Sequence, residues 1–242
     1  NLASALRVTA ANATAHGDLL FTFPGLNSFH GWTGLPTPTL ANTTHWFSLL
    51  TPEQQEEIAA ALTRSLQPVL VVQRGLLDFL ARENFPTASP LQRYLLRNFV
   101  RVFSVDQYEF WVRRGRVVAP LATAWQLRLA APRPGESPAK LELVVTFPAP
   151  ARVARLELAT LDARPQVLAR WDQAGAPLTA TGLNLKGEAV APPISPAWDR
   201  PLPPVAHLSL PLAQPLVFDR KNTVVYVRDA AGAVLAEARF TD

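Results

Sequence analysis

The spacing of apolar residues changes near the middle of this 242-residue chain, and this change limits its fold more than any other feature. Up to about residue 116, segments with helical spacing alternate with short apolar segments typical of strands. From residue 117 the helical spacing is lost, and short strands separated by Pro, Gly and Asp follow one another. We therefore predict an α/β domain over residues 1–116 and a β-sandwich domain over residues 117–242.

Local signals define the elements of the first half. Thr51 precedes a Pro at the first helical position, and Gln54 completes a capping box with it. Residues 19–23 and 69–72 are apolar runs typical of strands, and a hairpin is expected to turn near Asp106. Alternating helices and strands favour a small three-layer α/β unit with a mixed sheet.

The second half predicts a β-sandwich of about seven or eight strands. Its proline-rich segment, residues 189–204, is expected to be a long ordered loop or an edge crossing, because proline cannot serve a central strand. Trp171 and Tyr226 lie in strand patterns that predict core positions. Trp198 lies in the proline-rich segment and is predicted to be exposed, where it would suit stacking on a sugar ring.

Composition excludes several classes of function. The net charge is +4, but the cations are almost all arginines and are dispersed, so we expect solvated surface charge and no nucleic-acid partner. The chain has no cysteine, which excludes disulfides and thiolate metal sites. Its four histidines have no metal-ligand spacing, and we expect neither a metal nor a cofactor. The chain also has no methionine, so we expect a processed chain or a piece of a longer one.

One long segment avoids charge altogether. Residues 19–52 contain no Asp, Glu, Lys or Arg, yet they are rich in aromatic, hydroxyl and amide side chains. Such a segment is either buried or contacts a partner that is apolar with polar groups, such as protein, sugar or the lipid headgroup zone. The predicted docking residues are Asn27, Ser28, Phe29, Trp32, Thr33, Asn42, His45 and Trp46.

For the candidate catalytic residues, a structural role explains the sequence better than a catalytic role does. A hydrolase would need His45, Asp18 and Ser28 to act together, but their spacing matches no nucleophile elbow. The turn after the first strand, residues 23–28, lies where open α/β sheets usually bind ligands, although it lacks a phosphate-binding glycine motif. Asp78 and Glu109 are predicted to be surface residues. We assign no catalytic residue.

Three segments in order carry a family resemblance: DLLFTFPGLNSFHGWTGLPTPT from Asp18, PVLVVQRGLLDFL from Pro68 and FVRVFSVDQYEFWVRRG from Phe99. They resemble the soluble segment that follows the membrane spans of bacterial glycosyltransferases of the dolichyl-phosphate-mannose-protein mannosyltransferase type. The resemblance covers roughly the first 115 residues and does not extend to the sandwich. The matching positions are Asp18, Pro24, Gly25, Ser28, Phe29, Trp32, Thr33, Gly34, Pro36, Tyr108, Glu109 and Arg113.

The resemblance implies a non-catalytic domain on the extracytoplasmic (periplasmic) face of the membrane, within an integral membrane protein. Such a protein transfers a sugar from a polyprenyl-phosphate donor, and this domain would dock on the membrane-embedded part of the same parent chain and help to position acceptor or donor. A carbohydrate or lipid-linked sugar is a further expected partner. Two alternatives stay open: a secreted carbohydrate-binding module with its site on the sandwich, and a stand-alone hydrolase using the crevice after the first strand.

Overall fold

The computed structural model describes residues 2–40, 50–82, 89–130, 140–184, 187–212 and 218–240. Asn42, His45 and Trp46 lie outside the described residues. The chain divides into two compact units, one containing Ala5–Pro120 and the other containing Leu121–Asp242. The first is mixed α/β and the second is built of antiparallel sheets, as the change in apolar spacing predicts.

The first unit is a four-stranded mixed sheet with helices on both faces. The strand order is β1-β2-β4-β3, with β1 parallel to β2 and the other pairs antiparallel. The described elements are, in chain order, α1 (Leu2–His16), β1 (Leu19–Phe23), α2 (Ser28–Thr33), α3 (Pro52–Arg64), β2 (Pro68–Gln73), α4 (Arg74–Arg82), α5 (Pro90–Asn98), β3 (Phe99–Val105) and β4 (Tyr108–Arg113).

Strand β2 is apolar along its length because helices cover both of its faces. Val69 and Val71 pack in a core with residues of α1 and α2, whereas Leu70 and Val72 pack in a second core with residues of α3 and α5. These two cores make the unit a three-layer structure. Strand β4 alternates in the same way, with Phe110 in the first core.

The predicted capping box at the start of α3 is confirmed. The Thr51 hydroxyl accepts a hydrogen bond from the Gln54 amide, and the Gln54 side chain accepts one from the Thr51 amide. Ser89 caps α5 through the Gln92 amide. A short helix, α2, follows the first strand, and Asn27 at its start makes no side-chain cap hydrogen bond. Helix α2 ends at Gly34, whose φ of 69° requires a residue without a Cβ constraint.

The second unit is a β-sandwich with one apolar core shared by two four-stranded sheets. The sheet orders are β10-β12-β6-β5 and β14-β13-β8-β9, and a short ribbon pairs β11 with β7. The strands are β5 (Thr123–Ala130), β6 (Lys140–Thr146), β7 (Ala151–Arg152), β8 (Arg155–Thr160), β9 (Val167–Asp172), β10 (Thr179–Gly182), β11 (Pro201–Leu202), β12 (Val205–Pro211), β13 (Thr223–Arg228) and β14 (Val234–Arg239).

The proline-rich segment is ordered and partly buried. Its strand β11 pairs with β7, and Leu202 is fully buried in the sandwich core. Trp171 is buried as predicted, whereas Tyr226 lies half-buried beneath the Arg228 guanidinium, whose carbon is 5.2 Å from the ring centroid.

Candidate functional site

Among the predicted docking residues that the structure describes, one aromatic ring is exposed. Trp32 is 56% exposed, and Asn27 and Ser28 are also exposed. Thr33 is half-buried, with its hydroxyl donating to the Phe29 carbonyl oxygen at 2.7 Å. We name Asn27, Ser28, Gly31, Trp32 and Thr33 the Trp32 surface.

Phe29 does not belong to the docking surface. It is 1% exposed, because α2 turns this residue into the first core, where its ring centroid lies 5.9 Å from that of Tyr108. The Trp32 ring contacts the edge of Phe29 from outside, with centroids 5.2 Å apart. The buried ring therefore supports the exposed one.

Asp18 has a structural role at the start of β1. Its carboxylate accepts hydrogen bonds from the Ser65 hydroxyl and from the backbone amides of Leu66 and Gln67, at 3.1 and 3.0 Å. Burial alone raises the pKa of Asp18, but these hydrogen bonds outweigh burial and hold the pKa below its usual value. The carboxylate thus ties the α3–β2 connection to β1, which argues against a role as the acid of a hydrolase.

The arginines at the end of β4 bind helix ends. Arg113 Nη2 donates to the Leu62, Thr63 and Ser65 carbonyl oxygens at 2.6, 3.2 and 3.1 Å. Arg114 donates in the same way to carbonyl oxygens at the end of α5. Carbonyl groups at a helix C-terminus lack intrahelical partners and attract cations. These arginines keep access to solvent, as predicted for the cations of this chain, and in addition they stabilise helix ends.

We expect Arg113→Met to lower the free energy of unfolding by about 1–2 kcal/mol, because the α3 carbonyl oxygens lose a charged donor while the apolar stem is kept. Chemical denaturation followed by circular dichroism measures this change. The control is Arg164→Met, which replaces an exposed arginine on the β8–β9 connection. An equal loss of stability in both variants would contradict the assigned role of Arg113.

Glu109 is a buried carboxylate, not a surface residue as predicted. It is 3% exposed and lies on β4, on the sheet face that packs against α3 and α5. Arg74 binds both of its oxygens, at 3.2 Å through Nε and 2.9 Å through Nη2. Arg101 Nη1 and Trp111 Nε1 donate at 3.1 and 2.9 Å. All four donors converge on one carboxylate, which explains how its burial is tolerated.

The pKa of Glu109 reflects this environment. Burial by itself raises the pKa, but the hydrogen bonds and charge of Arg74, together with the Trp111 and Arg101 hydrogen bonds, outweigh it and hold the pKa below its usual value. The pKa of Arg74 is raised, chiefly by its hydrogen bond to Glu109. The pair is therefore charged at neutral pH.

A small pocket lies beside this ion pair, between the sheet and helices α4 and α5. Its volume is about 110 Å³, and its walls are mostly apolar, formed by side chains that include Val72, Leu77, Leu95 and Trp111. Arg74 and Gln92 supply the polar groups of its lining. Sequence analysis found that residues 23–28 lie where open α/β sheets usually bind ligands; of these residues, Phe23 lines the pocket. Sequence analysis missed Arg74, although its position directly after a strand parallel to β1 is a signal that could have pointed to this edge.

Trp198 is buried, so its predicted exposure is wrong. It is 5% exposed within the sandwich core, and its indole Nε1 donates to the Ala176 carbonyl oxygen at 2.6 Å. The flanking backbone is held as well, since the Ala197 amide donates to the Leu178 carbonyl oxygen at 2.8 Å and the Asp199 amide to that of Val153 at 3.1 Å. The ring is not available to stack on a sugar.

The sandwich has its own buried carboxylate, which sequence analysis missed. Glu157 on β8 is 6% exposed and pairs with Arg228, Arg155 and Arg170, at 2.8, 3.2 and 3.2 Å. Its neighbours Leu156 and Leu158 point into the core, so Glu157 lies on the opposite face of its sheet. Within the described ranges, no group of three or more His, Asp or Glu residues is placed to hold a metal ion.

Comparison with known proteins finds no matching family model, no matching curated protein and no matching solved structure. Among the helices of the described residues, none is both long enough and apolar enough to cross a membrane.

Proposed function

We propose that this chain is a non-catalytic extracytoplasmic domain of a bacterial membrane glycosyltransferase that uses a polyprenyl-phosphate sugar donor. In this proposal the Trp32 surface docks on the membrane-embedded part of the same parent chain and helps to position acceptor or donor. The observation that carries the proposal is an indole ring, 56% exposed, within a segment free of charged residues. The family resemblance of the first 115 residues supplies the class of partner.

The composition of the Trp32 surface suits this partner. A face that meets membrane-embedded helices at the lipid–water boundary needs an apolar body with groups that form hydrogen bonds, and Trp has both. Asn27 and Ser28 add uncharged polar groups, which lose less on desolvation than Lys or Glu would. Leu40, in the same charge-free segment, is also fully exposed.

The polar groups of this unit support a non-catalytic role. Asp18 and Glu109 are held by structural hydrogen bonds, and burial lowers the pKa of His30, whose Nδ1 lies 3.4 Å from the Leu35 carbonyl oxygen. Asp18 does accept a hydrogen bond from the Ser65 hydroxyl, but the Leu66 and Gln67 amides bind the same carboxylate, and its lowered pKa makes it a poor base for activating a nucleophile. The alternative of a sugar site on the sandwich loses its candidate residue, because Trp198 is buried.

We expect Trp32→Ala to weaken docking at least tenfold, since a large aromatic ring at the centre of an interface commonly contributes this much. The measurement is the affinity of residues 1–242 for the remainder of the parent chain, purified separately in lipid nanodiscs. The matched control is Phe79→Ala, which removes another aromatic ring, 52% exposed, on α4. Circular dichroism should show that both variants keep the wild-type fold.

Two results count against the proposal. One is a Trp32→Ala variant that binds as tightly as wild type, or as tightly as the Phe79→Ala control. The other is an open reading frame that lacks hydrophobic spans of about twenty residues outside this segment. The second result refutes the membrane parent itself, whereas the first refutes only the assigned surface.

A further inference from the structure

We infer that the pocket between the sheet, α4 and α5 of the first unit binds a small aliphatic carboxylate that carries an N–H or O–H donor close to its carboxyl group. This inference does not depend on the docking role of the Trp32 surface. It rests on the position of the pocket, its size, an unpartnered buried acceptor and a fixed cation.

The pocket lies at the edge where open α/β sheets bind ligands. Strands β1 and β2 are parallel, and Phe23 and Val72, which lie opposite each other at their carboxyl ends, both line it. Arg74 follows β2 immediately and begins α4. Ligands of such sheets bind outside the carboxyl ends of parallel strands. The location is therefore the one that the topology favours.

The volume sets the size of the apolar part of the ligand. An apolar cavity of roughly 150 Å³ accommodates benzene. A pocket of about 110 Å³ is suited to a smaller group, such as a branched chain of about four or five carbons. Leu77 and Leu95 on the two helices and Trp111 on the sheet supply the matching apolar walls.

Gln92 is the reason why we expect the ligand to carry a hydrogen-bond donor. Its Oε1 is buried and, within the part of the chain that the structure describes, has no hydrogen-bond partner. A buried acceptor without a partner is costly, and a ligand N–H or O–H would relieve this cost. The backbone amide of Gln92 donates to the Ser89 hydroxyl, which fixes the backbone position of Gln92 in the first turn of α5.

Arg74 is the reason why we expect the ligand to carry a negative charge. Among the described residues that line the pocket it is the one with a charge, and its Nε and Nη2 donate to Glu109. The same carboxylate receives Arg101, so two guanidinium groups share one buried negative charge. Asp78, one turn along α4, also interacts with Arg74, but it is exposed and water screens its charge.

The Arg74–Glu109 ion pair also holds the groups of the pocket in place before a ligand binds. Trp111 Nε1 donates to Glu109, so the carboxylate fixes both the cation and an aromatic wall of the pocket before any ligand binds. A site whose groups are already held in place loses less entropy on binding. We therefore expect specific binding even by a ligand of about nine heavy atoms, with a Kd on the order of 1 mM or below.

The test uses four small molecules that differ in one group each, with nuclear magnetic resonance of the 15N-labelled chain as the readout. The probe is 2-hydroxy-4-methylpentanoate. The comparisons are 4-methylpentanoate, which lacks the donor, 4-methylpentane-1,2-diol, which lacks the carboxylate, and glycolate, which lacks the apolar chain. We expect the probe to shift the Trp111 indole and Gln92 side-chain signals saturably, with each comparison binding about tenfold more weakly.

Gln92→Met supplies the variant test. Methionine keeps the length of the side chain and the backbone amide used by Ser89, but it removes the acceptor. The variant should bind 2-hydroxy-4-methylpentanoate and 4-methylpentanoate with affinities within about twofold of each other. Gln166→Met, an exposed glutamine in the second unit, is the matched control and should keep the tenfold preference.

The inference is refuted if no pocket signal shifts with the probe up to about 20 mM, a concentration well above the expected Kd. Equal binding of the four molecules to the wild-type chain would also refute it, as would a Gln92→Met variant that still prefers the hydroxy acid. The comparison of ligands on the wild-type chain decides the question even if the variant folds poorly.

Discussion

Trp198→Ala should lower the free energy of unfolding of the sandwich by about 3–5 kcal/mol, the range for removing a buried Trp or Phe side chain. The ring is 5% exposed and belongs to the core shared by the two sheets. Its removal leaves a cavity that the surrounding strands fill only in part, and the Ala176 carbonyl oxygen loses the indole donor. Guanidinium chloride unfolding followed by circular dichroism in the β-sheet region measures the effect without using tryptophan fluorescence.

Trp198→Phe separates the two contributions. It keeps most of the apolar bulk but removes the hydrogen bond to Ala176, so we expect a smaller loss of about 1–2 kcal/mol. Trp32→Ala, at an exposed ring, should change stability by less than about 0.5–1 kcal/mol. The structural role of Trp198 is wrong if its alanine variant is as stable as wild type, and a loss of glycan binding at unchanged stability would restore the carbohydrate-binding alternative.

Local sequence signals predicted most elements of both units. Caps such as Thr51-Pro52 and Ser89-Pro90 act through hydrogen bonds within one turn, so a single sequence contains all that specifies them. The alternation along residues 99–113 predicted both strands of the β3–β4 hairpin and its turn at Asp106, where φ is 54°. Strand β2 was recognised from its uninterrupted apolar run.

Contacts between residues far apart in the chain could not be predicted from local sequence signals. Arg113 binds carbonyl oxygens about fifty residues earlier in the chain, and Trp198 reaches Ala176 across a loop. Glu109 looked like a surface residue because its partners Arg74 and Arg101 belong to other elements. The pocket depends on the same geometry, since α4 and α5 must both pack on the sheet before Gln92 and Arg74 line one space.

The predicted docking residues of α2 show that sequence alone did not predict which side chains of one helix are buried. Phe29 and Trp32 are three residues apart in α2 and have similar apolar character, so composition alone gave both of them the same role. The structure separates them because Phe29 packs beside Tyr108 in the core, whereas Trp32, on nearly the same helix face, lies against Phe29 and is 56% exposed. Which ring is buried depends on the position of β4, which follows α2 by some seventy residues.

Glu109→Gln should lower the free energy of unfolding of the first unit by about 2–3 kcal/mol at pH 7. Gln is nearly isosteric with Glu, but it has no charge, and its single oxygen cannot accept from all the donors that now converge there. Arg74 and Arg101, with side chains 44% and 56% exposed, can turn toward water, which limits the loss. The Trp111 Nε1–H is left near an amide group of the wrong polarity or without its acceptor.

The pH dependence distinguishes this mechanism from a simple packing defect. The folded pKa of Glu109 lies below its unfolded value of about 4.3, so the ionised carboxylate stabilises the fold fully above that value. This stabilisation is lost as the pH falls through the folded pKa. The stability difference between wild type and Glu109→Gln should therefore be constant from pH 6 to 8 and shrink below about pH 4.

Glu237→Gln is the matched control, because Glu237 also meets an arginine, with Arg239 Nη2 at 3.0 Å, but both side chains are largely exposed. An exposed pair contributes little, so the control should lose less than about 0.5 kcal/mol and show no comparable change with pH. If the two glutamine variants lose equal stability, or if the Glu109→Gln difference grows in acid, the buried charge is not what holds Arg74 and Trp111 in place. The pocket would then lack the fixed cation and aromatic wall that its proposed ligand requires.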